Sequence, residues 1–275
     1  MDIKVVFSED PAFVLSEAGE FLFLQPVLHN VILSILHARV QEGEPGRYWM
    51  ARHGDKTAGV AVQSPLHFAA TLTPMGQPVV AAMVDAIVEA GVSLPGVNGE
   101  ASTAASFAGC WTERRKSAAM PFQGNRIYEF LEAGEVRETN GRFRQAGSTD
   151  RNLMIEWTRA FQVEIGEPDD DTPTRVDIWL AAGGIWLWED GGEAVAMAVR
   201  REPVAGVVRV SGVYTPPETR KRGYAAACVN ALSNRSRDAG YRCILYTDLA
   251  NTTSNSVYRR IGYRAVAEGL RYRFA

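Results

Sequence analysis

One hairpin is written twice in this chain, and that repeat constrains the fold more than any other feature. Tyr48-Trp49-Met50, a turn at His53-Gly54-Asp55 and the run Thr57 to Val62 form one copy; Ile185-Trp186-Leu187, Asp190-Gly191-Gly192 and Ala194 to Val199 form the other. Apolar runs separated by glycine and aspartate are the pattern of strands joined by a tight turn. Trp49 and Trp186 fall in step between the copies, and a strand ending in Thr73-Pro74 echoes one ending in Thr215-Pro216. Self-similarity of this kind predicts a duplicated architecture. The chain has 275 residues, 46% hydrophobic and 22% charged, which is material for one large domain or two of ordinary size and is far from a disordered composition.

The second half reads as alternating strands and helices. A strand at Arg142 to Ala146 precedes Ser148-Thr149-Asp150, which offers an N-cap to a helix carrying Leu153, Trp157 and Phe161. A loop at Glu167 to Thr172 follows, and Pro173 suits the first turn of a second helix through Leu180. After the hairpin comes a valine-rich strand, Val207 to Tyr214, stopped by Pro216-Pro217, since proline brings no ladder donor. A helix over Tyr224 to Ala239, a strand over Cys243 to Thr247, a helix over Thr253 to Ile261 and a last strand at Leu270 to Phe274 complete the order. In the first half, Leu28, Val31, Ile32, Ile35 and Leu36 follow the helical period within Phe21 to Val40. Gln25, Pro26, His29 and Asn30 make that stretch too polar for a membrane span, so it is expected to be a core-facing helix. The fold class expected is α/β around a central mixed sheet.

Several function classes fall away on composition and spacing. The net charge of −3 gives no bulk field for nucleic acid or an anionic membrane. Cys110, Cys228 and Cys243 form neither a C-x-x-C pair nor a disulfide framework. The N-terminus opens with Asp2, Glu9, Asp10 and Glu17, the opposite of a signal peptide's basic lead, and the expectation is a cytoplasmic protein. His29, His37, His53 and His67 lack metal-ligand spacing, so no metal is expected. No dinucleotide or Walker loop is present, and Ser211 stands beside Gly212 without the G-x-S-x-G elbow of a serine hydrolase.

The chemistry concentrates after Tyr214. Arg220-Lys221-Arg222-Gly223-Tyr224-Ala225 lies between a strand and a helix start, where unpaired N–H groups and the helix dipole attract anions. Gly223 and Ala225 keep bulk away from the backbone, and three cations add charge, so the segment reads as a phosphate cradle. Here the sequence resembles the GNAT superfamily of N-acetyltransferases, whose coenzyme A pyrophosphate loop carries the R-x-x-G-x-A pattern of Arg220, Gly223 and Ala225. A second matching element is Asn251-Thr252-Thr253-Ser254-Asn255-Ser256-Val257-Tyr258 with Ile261-Gly262-Tyr263 downstream. The resemblance spans about Asn140 to Ala275 and is strongest over Val207 to Tyr263; for the first half it is architectural only.

The resemblance implies two GNAT-like domains, a degenerate one over residues 1–137 and a catalytic one over residues 140–275. It implies acetyl-CoA as cosubstrate, a primary amine of a small molecule or peptide N-terminus as acceptor, and direct attack in a ternary complex, with a monomer or homodimer as the assembly. Coenzyme contacts are implied at Val213, Tyr214, Thr215, Arg220, Lys221, Arg222, Gly223, Tyr224, Ala225, Asn251, Ser254, Asn255 and Tyr258. Within that set the Val213 N–H faces the thioester or pantetheine amide, Asn255 helps hold the pantetheine arm, and Tyr258 protonates the departing thiolate. The strand from Val207 to Thr215 holds no carboxylate, so the base is left between Asp248 and Glu164 or a water-mediated route. The run Asp169-Asp170-Asp171 offers attraction for a cationic amine. The alternative function is an acyl-CoA-sensing module without catalysis that contacts a protein partner.

Overall fold

The computed structural model describes residues 3–166 and 171–275. Ten elements follow one another and then recur in the same order. The first series is β1 (Ile3–Ser8), α1 (Pro11–Leu24), α2 (Asn30–Glu42), β2 (Arg47–His53), β3 (Lys56–Gln63), β4 (Ala70–Leu72), α3 (Gln77–Glu89), β5 (Gly96–Glu100), α4 (Ala101–Arg115) and β6 (Ala119–Phe130). The second is β7 (Arg142–Gln145), α5 (Arg151–Ile165), α6 (Thr172–Ala181), β8 (Ile185–Asp190), β9 (Glu193–Arg200), β10 (Val207–Tyr214), α7 (Tyr224–Asp238), β11 (Arg242–Asp248), α8 (Thr252–Arg260) and β12 (Tyr263–Phe274). Two 3-10 turns, Ser148–Asp150 and Pro217–Thr219, interrupt the second series.

The repeat extends to register. Trp49 pairs with Ala61 and Trp186 with Ala198, and in both hairpins the register shifts shortly after the tryptophan, between Ala51 and Arg52 and between Trp188 and Glu189. Each indole also packs on a phenylalanine of the strand that opens its series, Phe7 at 5.5 Å and Phe143 at 4.7 Å between ring centroids.

Two helices fill the stretch expected to hold one. Asp10 caps α1 by accepting from the Ala12 N–H at 2.8 Å, with Pro11 in its first turn, where a missing N–H costs nothing. The chain breaks before α2, which buries Ile32, Leu33 and Leu36 and leaves Val31 and Ile35 half-buried, so the core face is rotated from the one the period predicted.

Contacts divide the chain into two compact units that interleave along the sequence. The first holds the described residues up to Ile127 with Thr247–Ala250 and Ala265–Ala275; the second holds Tyr128–Tyr246 and Asn251–Arg264. In the first unit β1, β2, β3 and β4 pair antiparallel, β4 and β5 pair parallel, and β12 closes on β5 from Gly269↔Glu100 to Arg273↔Gly96. The last strand is thus longer than Leu270–Phe274, and it completes a sheet made otherwise from the start of the chain. Its Tyr272 and Phe274 join a core of Trp49, Leu72, Met83, Ile87, Phe107 and Trp111. Phe274 stacks on Trp111 at 5.0 Å.

In the second unit β7, β8, β9 and β10 are antiparallel neighbours and β11 joins β10 in parallel. Alternation along the strands gives each face its own core. Val210, Leu245, Cys243 and Trp186 lie with α7, whose Cys228, Val229 and Leu232 are buried among them. Met197, Val199, Leu187 and Tyr214 turn to the opposite face, against Met154, Ile155 and Trp157 of α5 and Val176 of α6. Asp150 stands at the N-cap position of α5 without capping it; its carboxylate accepts from the Gly147 N–H at 2.8 Å and pairs with Arg144 instead. Pro173 lies in the first turn of α6 as expected. Glu167 to Asp170 fall outside the described residues, so of the acidic run only Asp171 is placed, accepting from the Thr174 N–H.

Candidate active site

The strand expected to present the thioester-binding backbone has two departures from regular pairing. Its parallel register with β11 runs from Val207↔Arg242 to Val210↔Leu245, and both strands continue beyond that point. On the other side the register with β9 goes from Ser211↔Val199 to Tyr214↔Met197, so Gly212 and Val213 together oppose Ala198 alone. That is a β-bulge, and it leaves ladder groups without their usual partners. Gly212 makes the bulge with φ of +53°, a left-handed conformation that a side chain disfavours. The sequence signal was available, because a glycine inside a strand often marks a bulge.

The turn that follows carries the cations. Thr215 leads into the 3-10 turn at Pro217–Thr219, then Arg220, Lys221 and Arg222, all exposed, and α7 begins at Tyr224. Lys221 and Gly223 both have positive φ, 63° and 94°, which folds the chain sharply into the helix. Gly223 stands at the N-cap with no side chain to satisfy the first N–H groups of α7, so they remain open as an anion site. The Tyr224 side chain is largely buried and its hydroxyl donates to Asp190 Oδ2 at 2.5 Å; this contact anchors the helix start to the β8–β9 turn and raises the phenol's pKa. Ala225, next in the helix, is half-buried.

Arg220 is held rather than free. Its Nε donates to the Thr215 carbonyl at 2.8 Å, its guanidinium lies 5.7 Å from the centre of the Tyr214 ring, and it pairs with Glu164 from the last turn of α5. Tyr214 is buried against Trp157 at 5.9 Å; burial and the nearby Glu164 charge raise its pKa. The Thr215 hydroxyl is buried and has no hydrogen-bond partner among the described residues. An orphaned hydroxyl beside a turn with three cations fits a ligand that supplies the missing partner.

The second motif folds as α8. Asn251 caps the helix by accepting from the Ser254 N–H at 2.9 Å. Asn255 is buried; its Nδ2 donates to the Asn251 carbonyl at 2.7 Å, and its Oδ1 accepts from the Tyr128 hydroxyl at 3.1 Å. The bond from Tyr128 ties α8 to the end of β6, and the other steadies the start of the helix. Tyr258, one turn on, is half-buried with its ring 5.9 Å from Tyr263, and burial pushes its phenol up to about 12, so it stays protonated at neutral pH. Its hydroxyl has no hydrogen-bond partner among the described residues.

Of the two carboxylates considered as base, Glu164 is exposed and paired with Arg220. Asp248 accepts from the Ala250 N–H at 2.7 Å and from Gln123 Nε2 at 3.0 Å, bonds that shape the turn after β11. No group of residues suited to a metal ion occurs among the described residues, and no helix there is long and apolar enough to cross a membrane.

The equivalent places in the first unit differ at each point. The β3–β4 register runs Ala61↔Leu72 and Val62↔Thr71 without a bulge. A Cβ built on Gly99 of β5 would lie 3.1 Å from Leu72 Cβ, so β4 and β5 stay close where β10 and β11 part. The link from β4 to α3 is short, contains no arginine, and puts Pro78 in the helix's first turn. In α4, the counterpart of α8 in the repeated order, Phe107, Cys110 and Trp111 stand in place of a buried asparagine and an acid tyrosine, and both aromatic rings are core.

Residues 152–263 match the model of the acetyltransferase (GNAT) family. Among solved structures, the fold is similar to that of an acetyltransferase from the GNAT family of Colwellia psychrerythraea, at 12% identity with 100% of both chains covered and a TM-score of 0.64. It is similar also to a GCN5-related N-acetyltransferase from Sphaerobacter thermophilus, at 15% identity, with 98% of this chain and 95% of that chain covered and a TM-score of 0.65. No curated protein sequence matches. Both structural likenesses extend over the first half of the chain, where they agree with the repeated order of elements. Residues 152–263 therefore match the GNAT acetyltransferase family, and the mixed α/β fold around them is shared almost end to end with structures of GNAT acetyltransferases.

Proposed function

We propose that this protein is an acetyl-CoA-dependent N-acetyltransferase that acylates a primary amine of a small molecule or peptide N-terminus by direct attack in a ternary complex. The observation that carries the reading is the combination, in one unit, of a bulged strand parting from its neighbour and an open helix N-terminus behind three cations. In this reading Arg220, Lys221, Arg222 and the first N–H groups of α7, with Gly223 and Ala225 leaving room, take the pyrophosphate. Tyr214 and Thr215 flank the pantetheine arm, Asn251 and Ser254 border it, and the Val213 N–H donates to the thioester carbonyl or the adjacent amide. Asn255 acts on that arm through α8, which its hydrogen bond with Tyr128 holds to β6.

The amine lone pair attacks the thioester carbon, the carbonyl oxygen gains charge, and the carbon–sulfur bond then breaks. Tyr258 gives its proton to the sulfur, and the nitrogen loses one to a base. Glu164 is the base favoured here, because it stands beside Tyr214 on the face opposite α7, whereas Asp248 is committed to its turn. Attraction of Arg220 to the pyrophosphate would release Glu164 for that task. The first unit, in this reading a degenerate copy, has no coenzyme site. A panel of amines scored by acetyl-CoA-dependent thiol release tests the proposal; turnover that persists in the Arg220→Ala, Arg222→Ala protein at the original KM for acetyl-CoA would refute it.

A further inference from the structure

Arg209 is left unexplained by this scheme. It projects from β10 on the α5 and α6 side of the sheet, since Ser211, two residues on, pairs with Val199 of that core. Its guanidinium lies 6.0 Å from the centre of the Tyr246 ring. By register Arg209 is opposite Ile244, so the side chain leans toward the end at which the two strands part. No carboxylate pairs with it among the described residues, and neither it nor the Tyr246 hydroxyl has a hydrogen-bond partner there. Burial lowers the Arg209 pKa and pushes Tyr246 up to about 12, so the phenol keeps its proton at neutral pH. A half-buried guanidinium without a counter-charge is costly to keep, and a carboxylate ligand offsets that cost through charge-assisted hydrogen bonds.

We infer that Arg209, Ser211 and Tyr246 bind a carboxylate on the acceptor, so that the amine acylated here belongs to an amino-carboxylate rather than to a simple amine. The inference rests on the acetyltransfer reading. A coenzyme with its pyrophosphate at the N-terminus of α7 reaches the parted strands from the α7 side, and the acceptor comes from the other face, where these three donors stand. Ser211 and Val213 lie two positions apart along β10, with the bulge at Gly212 between them, a distance of at most roughly 7 Å. An extended ω-amino acid spans that gap and an α-amino acid does not.

The test compares 6-aminohexanoate with pentylamine, its decarboxylated counterpart. Calorimetric titration of each into the coenzyme A-saturated full chain should show 6-aminohexanoate binding at least tenfold tighter, as charge-assisted hydrogen bonds to guanidinium allow. Arg209→Met should collapse the ratio toward one, and Tyr246→Phe, which keeps the ring, should reduce it. A ratio near one in the unaltered protein, or one unchanged by both substitutions, overturns the inference while leaving coenzyme binding intact. Failure of coenzyme A itself to bind overturns the acetyltransfer reading, and this inference with it.

Discussion

Glu164 and Arg220 form an ion pair that links the last turn of α5 to the turn opening α7. Both side chains are substantially exposed, so the pair contributes at most about 1 kcal/mol to stability. The chemistry proposed for Glu164 is worth far more. Glu164→Gln should therefore leave the unfolding midpoint nearly unchanged and lower kcat by about 10² to 10⁴, the usual range for a general base. Acetyl-CoA affinity should hold or tighten, because Arg220 loses a competitor for the pyrophosphate. Steady-state kinetics beside a thermal melt separates these effects; full activity in Glu164→Gln with loss of activity in Asp248→Asn would move the base to Asp248.

Tyr258→Phe removes a proton and little else, since the hydroxyl has no partner to leave stranded among the described residues. Turnover should fall by about 10² to 10⁴ while acetyl-CoA binding stays within a factor of two or three. With its phenol near 12, Tyr258 is protonated throughout the neutral and mildly alkaline range, so its own titration should produce no alkaline loss of kcat below about pH 11. A pH–rate profile of the unaltered protein checks this. An alkaline limb near pH 9 that vanishes in Tyr258→Phe would mean that the phenol titrates lower than its burial implies.

The repeated hairpin, the valine-rich strand, the arginine turn and the two helices around Asn251 and Tyr224 were legible because each rests on local chemistry: turn residues, β-branched runs, caps. The α1 helix was legible too, in Asp10-Pro11, but the acidic N-terminus was read only for targeting. The pairing of β12 with β5 was not, because strand alternation fixes which side chains face a core and says nothing of which strand lies alongside. Gly212 was noticed beside Ser211 solely as an argument against a hydrolase, and its role as a bulge needs the register of three strands. In the sequence Arg209 is one charge among valines; what distinguishes it is that no carboxylate pairs with it among the described residues.

Gly212 carries a prediction of its own. Its φ of +53° disfavours any side chain, and a Cβ there would come within 3.0 Å of Val199 Cγ2. Gly212→Ala should cost about 1 to 3 kcal/mol, combining left-handed strain with the crowding of Val199. Catalysis should suffer beyond that, because the bulge sets the direction of the Val213 N–H. Chemical denaturation and kcat of the surviving folded fraction measure the two parts; a variant as stable and active as the parent would show that the bulge is dispensable.

Charge at the helix opening sets coenzyme affinity in this account. Arg220→Ala combined with Arg222→Ala removes groups that contribute roughly 1.5 to 3 kcal/mol each when they bond an anion, so Kd for coenzyme A should rise at least tenfold. Dephospho-coenzyme A, which keeps the pyrophosphate, should lose a comparable factor. Pantetheine, which lacks it, should bind the double variant and the parent alike.

The most direct measurement counts coenzyme sites on the intact chain. The full chain is required, because residues 265–275 belong with the first unit and a chain cut at Asn140 would leave β12 without β5. Isothermal titration with acetyl-CoA should give one site per chain, and that single site should weaken at least tenfold in the Arg220→Ala, Arg222→Ala protein, since the first unit has neither the bulge nor the arginine turn. Two sites per chain, or one site indifferent to the loss of both arginines, would contradict the account.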